Sequence, residues 1–227
     1  MAEKSNVGLV GLGLVGTALA RRLLGAGLAV TGYDIDAARG QALTALGGHA
    51  AESVAELARD CTRIVSAVFN TEQLEAVIEG AGGVIEAAAG APRTVLNVTT
   101  SDPDKVAALA QRIAAKGVTL LEVPISGTSE QIVQGDGVGL IGGDPAAATA
   151  CADILDAICP RRYHTGAVGN GAKTKLAVNL ILGLNRAALG EGLVFAERLG
   201  LDPKGFLEVA KGSAAYSQIM DVKGDKY

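Results

Sequence analysis

Hydrophobic residues in this chain fall in short blocks separated by amphipathic stretches, and that alternation predicts strands and helices in turn. Val7 to Val10 is an apolar run that enters Gly11-Leu12-Gly13-Leu14-Val15-Gly16 and continues into an amphipathic segment over 17–24. A second apolar run over 28–33 ends at Asp34. Beyond it the pattern predicts a helix over 36–46 capped by Asp36, and a short one over 53–59 with Ser53 and Glu56 at capping-box spacing. A strand over 63–68, a helix over 71–79 and a strand over 94–98 follow. Further strands are read over 118–123, 137–142 and 161–164, while Asp102-Pro103, Asp144-Pro145 and Asp202-Pro203 each read as an N-cap followed by a first helical residue. From about residue 172 to 199 runs one helical pattern, roughly 40 Å long at 1.5 Å per residue, too long to pack only on a sheet. Gly200 ends it.

The glycines decide what the first crossover is for. Gly11, Gly13 and Gly16 fit G-x-G-x-x-G, in which the first glycine permits a tight turn, the second lets the backbone approach a pyrophosphate, and the third lets helix pack on strand. The N–H groups of Leu14 and Val15 at the helix start then face the phosphates. Asp34, about 20 residues on, is placed to accept hydrogen bonds from the adenosine ribose, and its charge repels a 2′-phosphate, so the expected cofactor is NAD rather than NADP. The fold class read from this is α/β. A Rossmann-like doubly wound sheet occupies 1–165, and an interdomain helix with an incomplete all-helical C-terminal domain occupies 166–227. In such a sheet ligands collect outside the carboxyl ends of the strands, where Phe69 and Asn70 border the cofactor or merely lead into the next helix. Thr100, after another strand on that edge, faces the nicotinamide side.

Composition narrows the partners. With 49% apolar residues and a net charge of −4, the chain has ample core and no footprint for nucleic acid or an anionic membrane, leaving small molecules and other subunits. Arg186, Glu191 and Glu197 interrupt the apolar stretch near residue 176, which argues against a transmembrane span. Three cysteines without a C-x-x-C and two scattered histidines indicate no disulfide framework, no metal site and no hydrolase triad, and a cytoplasmic setting is expected.

An oxidoreductase therefore needs another proton carrier. Lys175 lies one turn before Asn179 on the long helix, and the two share a face at i, i+4. From spacing alone a surface lysine beside a packing asparagine is the plainer reading. Ser126, Gly127 and Thr128 present hydroxyls and bare N–H groups to an anion, or form an ordinary turn.

Three blocks in order, Gly8 to Gly16, Glu122-Val123-Pro124-Ile125-Ser126-Gly127, and Gly169-Asn170-Gly171-Ala172-Lys173-Thr174-Lys175 followed by Asn179, resemble the β-hydroxyacid dehydrogenase family, which includes 3-hydroxyisobutyrate dehydrogenases and tartronate semialdehyde reductases. The resemblance implies that Lys175 is catalytic, that Ser126 and Gly127 hold a substrate carboxylate, that Asn179 belongs to the substrate site, and that Thr100 lies by the nicotinamide. It further implies a homodimer or homotetramer formed through C-terminal helices, and further helices after Tyr227 that supply a second, cofactor-facing lysine. Glu122 departs from the family's usual Asp, Thr128 from a glycine, Val178 from an asparagine, and Phe69-Asn70 from a Leu-Pro pair. Imine and 6-phosphogluconate-type reductases share the pattern, and a non-catalytic dinucleotide-binding module is the reading from another class.

Overall fold

The computed structural model describes residues 6–87 and 91–226. Its strands are β1 (Asn6–Val10), β2 (Ala29–Tyr33), β3 (His49–Ala50), β4 (Arg63–Ser66), β5 (Arg93–Asn97), β6 (Val118–Glu122), β7 (Ile125–Ser126), β8 (Val138–Gly142) and β9 (Arg161–Gly166). Around and after them lie α1 (Leu14–Gly25), α2 (Ala37–Ala45), α3 (Val54–Asp60), α4 (Thr71–Glu79), α5 (Val84–Ala87), α6 (Pro103–Ala114), α7 (Ser129–Gln134), α8 (Pro145–Ala150), α9 (Ala152–Ile158), α10 (Asn170–Arg198), α11 (Pro203–Lys211) and α12 (Ile219–Lys223).

The described strands form one sheet in the order β3-β2-β1-β4-β5-β6-β8-β7, with β9 also paired to β8. From β3 to β6 every pairing is parallel; β8 then runs antiparallel to β6, and β9 parallel to β8. Strand order reverses across β1, with β2 on one side and β4 on the other, which is the doubly wound arrangement expected from the alternating pattern. Side chains alternate between two cores. Val7 and Leu9 of β1 join Leu19, Leu96, Leu121 and Ile154 on one face, while Val10 joins Ile64, Leu74, Val95, Leu109 and Leu120 on the other.

Local chemistry explains where the helices begin. Asp36 accepts from the N–H of Ala38, Asp102 from Asp104 and Lys105, Asp144 from Ala146, and Asp202 from Gly205. Ser53 accepts from Glu56 N–H, but the expected reciprocal half of a capping box goes elsewhere, because the Glu56 carboxylate reaches the N–H of Glu52, one residue before the cap.

The chain divides into two compact units, one ending at Lys175 and one beginning at Leu176. The second unit has its own small core of Leu189, Leu193, Leu207, Ala210, Ile219 and Met220. Leu176, Leu180, Ile181 and Leu184 of α10 are exposed. One 18-residue window of α10 reaches a mean hydropathy of 1.2, so this helix is long and apolar enough to cross a membrane by length and composition, although the sequence reading counts its charges as interruptions.

The glycine turn depends on backbone packing rather than on side chains. Gly11 has φ +89°, and a Cβ there would lie 2.5 Å from the Ala67 carbonyl oxygen. A Cβ on Gly16 would collide with the carbonyl of Gly11, and backbone cannot yield as a flexible side chain would. Gly16→Ala is therefore expected to destabilise the chain by about 1–3 kcal/mol and to weaken NADH binding. Denaturant unfolding and NADH fluorescence check both, and an unchanged midpoint with unchanged affinity would refute the packing argument.

Candidate active site

A cleft of about 850 Å³ opens outside the carboxyl ends of β1, β2, β4 and β5, at the point where strand order reverses. It is lined by Gly11, Gly13, Leu14 and Val15 of the turn, and by Asp34, Phe69, Thr100, Gly127 and Lys175 from five other segments. Residues separated by more than 160 positions in the chain thus meet in one depression. Gly16 takes no part in the lining; its role is the close contact with Gly11 described above.

The start of α1 suits a phosphate. Its N-cap is Gly13, no side chain accepts from its first turn, and that turn carries no acidic residue, whereas α2, α6 and α11 are each capped by an aspartate. The uncapped N–H groups and the positive dipole end therefore face the cleft. A side chain at Gly13 would stand in the way of an approaching pyrophosphate; its nearest neighbour beyond the turn is the Arg39 guanidinium, 3.7 Å from a notional Cβ. These features fit a dinucleotide.

Asp34 stands at the end of β2 with its side chain only 5% exposed. One carboxylate oxygen accepts from Leu12 N–H at 2.7 Å, inside the glycine turn, and the other from Asp36 N–H at 2.9 Å. Burial alone would raise its pKa, but those two N–H groups and the Arg39 guanidinium, 3.2 Å away, hold it below the ordinary carboxylate range. Asp34 therefore braces the turn as well as bordering the cleft. Arg39 was missed in the sequence reading. The available signal was its position three residues after the Asp36 cap, which brings the guanidinium back over the end of β2.

The two candidates after β4 part company. Phe69 lines the cleft and is 87% exposed, but the Asn70 side chain accepts from Gln73 N–H as the N-cap of α4 and is not among the lining residues. Of three consecutive hydroxyls after β5, two are consumed by structure. Thr99 donates to the Val68 carbonyl, and Ser101 donates to the Thr99 carbonyl while accepting from Asn97 Nδ2. Thr100 is left exposed at the cleft wall.

On the opposite side, Lys175 is 9% exposed and its Nζ donates to the Ile125 carbonyl at 2.9 Å, one residue before Ser126 and two before Gly127. Burial pushes its pKa below the usual 10.5, the direction that readies an amine for proton transfer. Gly127 lines the cleft; Ser126 pairs with Val138 across β7 and β8 and is not in the lining. Thr128 is likewise outside it. Its hydroxyl accepts from Gln131 N–H, and the Gln131 side chain accepts from Thr128 N–H, a closed capping box at the start of α7. Asn179 lies one turn beyond Lys175 on α10, in the second unit, and is exposed.

The start of α10 is held from a distance. Glu122, at the end of β6 and 1% exposed, accepts from the backbone N–H groups of Gly169, Gly171 and Ala172. Burial raises its pKa, and the three N–H groups and the charge of Lys173 oppose that rise. Sequence reading noted Glu122 only as a departure from a family pattern, because nothing local shows that its partners are 47 to 50 residues away.

Residues 6–166 match the family model described as the NAD-binding domain of 6-phosphogluconate dehydrogenase. Residues 169–226 match the one described as NAD-binding of NADP-dependent 3-hydroxyisobutyrate dehydrogenase. The chain is 33% identical to an L-threonate dehydrogenase of Cupriavidus necator, over 97% of this chain and 76% of that protein. It is 30% identical to a 2-(hydroxymethyl)glutarate dehydrogenase of Eubacterium barkeri, over 100% and 75% of the two chains. Among solved structures, a 3-hydroxyisobutyrate dehydrogenase from Salmonella typhimurium superposes with a TM-score of 0.84 at 28% identity, over 97% of this chain and 77% of that one. With an uncapped glycine turn and a buried lysine on one cleft, and with both family models matched, the chain belongs to the β-hydroxyacid dehydrogenase family of NAD(P)-dependent oxidoreductases.

Proposed function

We propose that this protein moves hydride between NAD and the carbinol carbon of a small β-hydroxy acid, or the corresponding semialdehyde, with Lys175 as general acid and base. The observation that carries the reading is Lys175 itself, a buried ammonium on the same cleft as the glycine turn and beside the Ser126-Gly127 loop. A nicotinamide cofactor held at the glycine turn of Gly11, Gly13, Leu14 and Val15 would supply or accept the hydride. In the reducing direction Lys175 gives a proton to the carbonyl oxygen, and in the oxidising direction the neutral amine removes the hydroxyl proton. The Gly127 backbone and the Ser126 hydroxyl hold the substrate carboxylate, and Asn179 contributes to the same substrate site. Thr100 flanks the nicotinamide.

Lys175→Ala is expected to lower turnover about 10²-fold or more while NADH binding stays near wild type. Because burial depresses the Lys175 pKa, reduction should fade, and oxidation should strengthen, as pH rises through a value below 10.5. Rate profiles in both directions check this, and a Lys175→Ala enzyme as fast as wild type would end the assignment.

Asp34 supports NAD, since its carboxylate borders the cleft where the ribose hydroxyls would sit. Arg39 carries a second reading, in which its guanidinium pairs with the 2′-phosphate of NADP instead of with Asp34. Asp34→Ala should reduce the NAD to NADP preference in kcat/KM by at least tenfold; a preference for NADP in the unaltered enzyme would favour the second reading.

We also infer that a second copy of the chain covers the exposed apolar residues of α10. The protein should elute at no less than twice 22.8 kDa. Replacing Leu180 and Leu184 by Glu should yield a monomer, and elution of the unaltered chain as a monomer would remove this inference.

A further inference from the structure

We propose that Glu122 is a positioning residue for proton transfer: its carboxylate, fixed at the end of β6, clamps the first turn of α10 and thereby sets where Lys175 presents its ammonium. The proposal rests on the role of Lys175 given above.

The first N–H groups of a helix need acceptors, and at α2, α3, α4 and α7 a neighbouring aspartate, serine, asparagine or threonine supplies one. At α10 the acceptor comes from another strand. One Glu122 oxygen takes the N–H groups of Gly169 and Gly171, and the other takes Ala172. Three donors arranged around two oxygens fix the carboxylate plane and the helix start together. The negative charge also meets the positive end of the α10 dipole, in a place where water cannot substitute.

The surroundings are fitted to a side chain of this length. Gly142 is the cross-strand partner of Glu122, and a Cβ there would lie 2.5 Å from the Glu122 oxygen. A Cβ on Gly171 would lie 2.8 Å from the Leu140 carbonyl oxygen and 3.1 Å from the Glu122 Cβ. The helix start therefore sits against backbone on one side and the carboxylate on the other. Lys175 is one helical turn beyond Gly171, and its Nζ is bound to the Ile125 carbonyl, only three residues along the chain from Glu122. A shift of the first turn would be carried directly to that ammonium.

Two variants separate reach from charge. Glu122→Gln keeps the length but replaces one acceptor oxygen with a donor facing N–H groups, and Glu122→Asp keeps the charge but withdraws it by one methylene. Both are made in the full chain, with NADH fluorescence reporting the glycine-turn site and ¹³C-methyl labelling of lysines reporting the titration of Lys175 by NMR. Glu122→Gln is expected to lower kcat at least tenfold with the KM for NADH within twofold of wild type. In it Lys175 should titrate at higher pH than in wild type, because a displaced helix start lets water reach the ammonium. Glu122→Asp should recover part of the loss. A wild-type kcat and wild-type Lys175 titration in Glu122→Gln would overturn the proposal. So would loss of NADH binding in both variants, since Glu122 would then hold the fold and not the lysine. If the wild-type enzyme turns over no hydroxy acid or semialdehyde, the functional reading falls, while the NMR titration still decides whether Glu122 positions Lys175.

Discussion

A carboxylate taken out of water persists as a charge only where donors replace the water it has lost. Glu122 meets that requirement with three backbone N–H groups from a segment nearly fifty residues away. The arrangement is mutual, because those N–H groups belong to a helix start, where backbone donors have no intrahelical acceptor. Around this cluster a Cβ at Gly142 or Gly171 would meet the Glu122 side chain, and Lys175, one helical turn after Gly171, lines the cleft.

The cleft itself is built from opposed environments. On the side of β1 and β2, an uncapped helix start and a bare glycine backbone offer donors to an anion, and Asp34 stands beside them, kept ionised by N–H groups and by Arg39. On the side of β7 and α10 the surroundings are dry, and there burial favours the neutral form of Lys175. Donors for an anion and an amine whose pKa burial lowers thus lie within one depression. Asp34 shows how closely the parts are linked. The carboxylate that borders the cleft also accepts from Leu12 in the glycine turn, so its charge and the shape of the turn are not independent.

Much of the architecture was legible from the chain because the relevant rules are local. A period of two or of 3.6 in apolar positions, Asp-Pro pairs at helix starts, and glycines at a turn each act over a few residues, and the longer elements stand where those signals put them, whereas the short β3, β7, α5, α7 and α12 carry no such signal. Family likeness in three separated blocks extended this to Lys175 and to the loop at Ser126, which periodicity alone did not distinguish from an ordinary surface lysine and an ordinary turn.

What only the tertiary structure decided is which polar groups are already spoken for. Asn70 and Thr128 look in the sequence like candidates equal to Phe69 and Thr100, yet their side chains are engaged in helix caps. Glu122, conversely, carries no local mark of importance, and gains it from partners that the fold brings from nearly fifty residues away. Sequence by itself determined the order of elements and the glycine turn, since those depend on steric and hydrophobic preferences of neighbouring residues. Hydrogen-bond satisfaction depends on distances between segments remote in the chain, so the membership of the cleft and the anchoring of its lysine were settled only when the chain was folded.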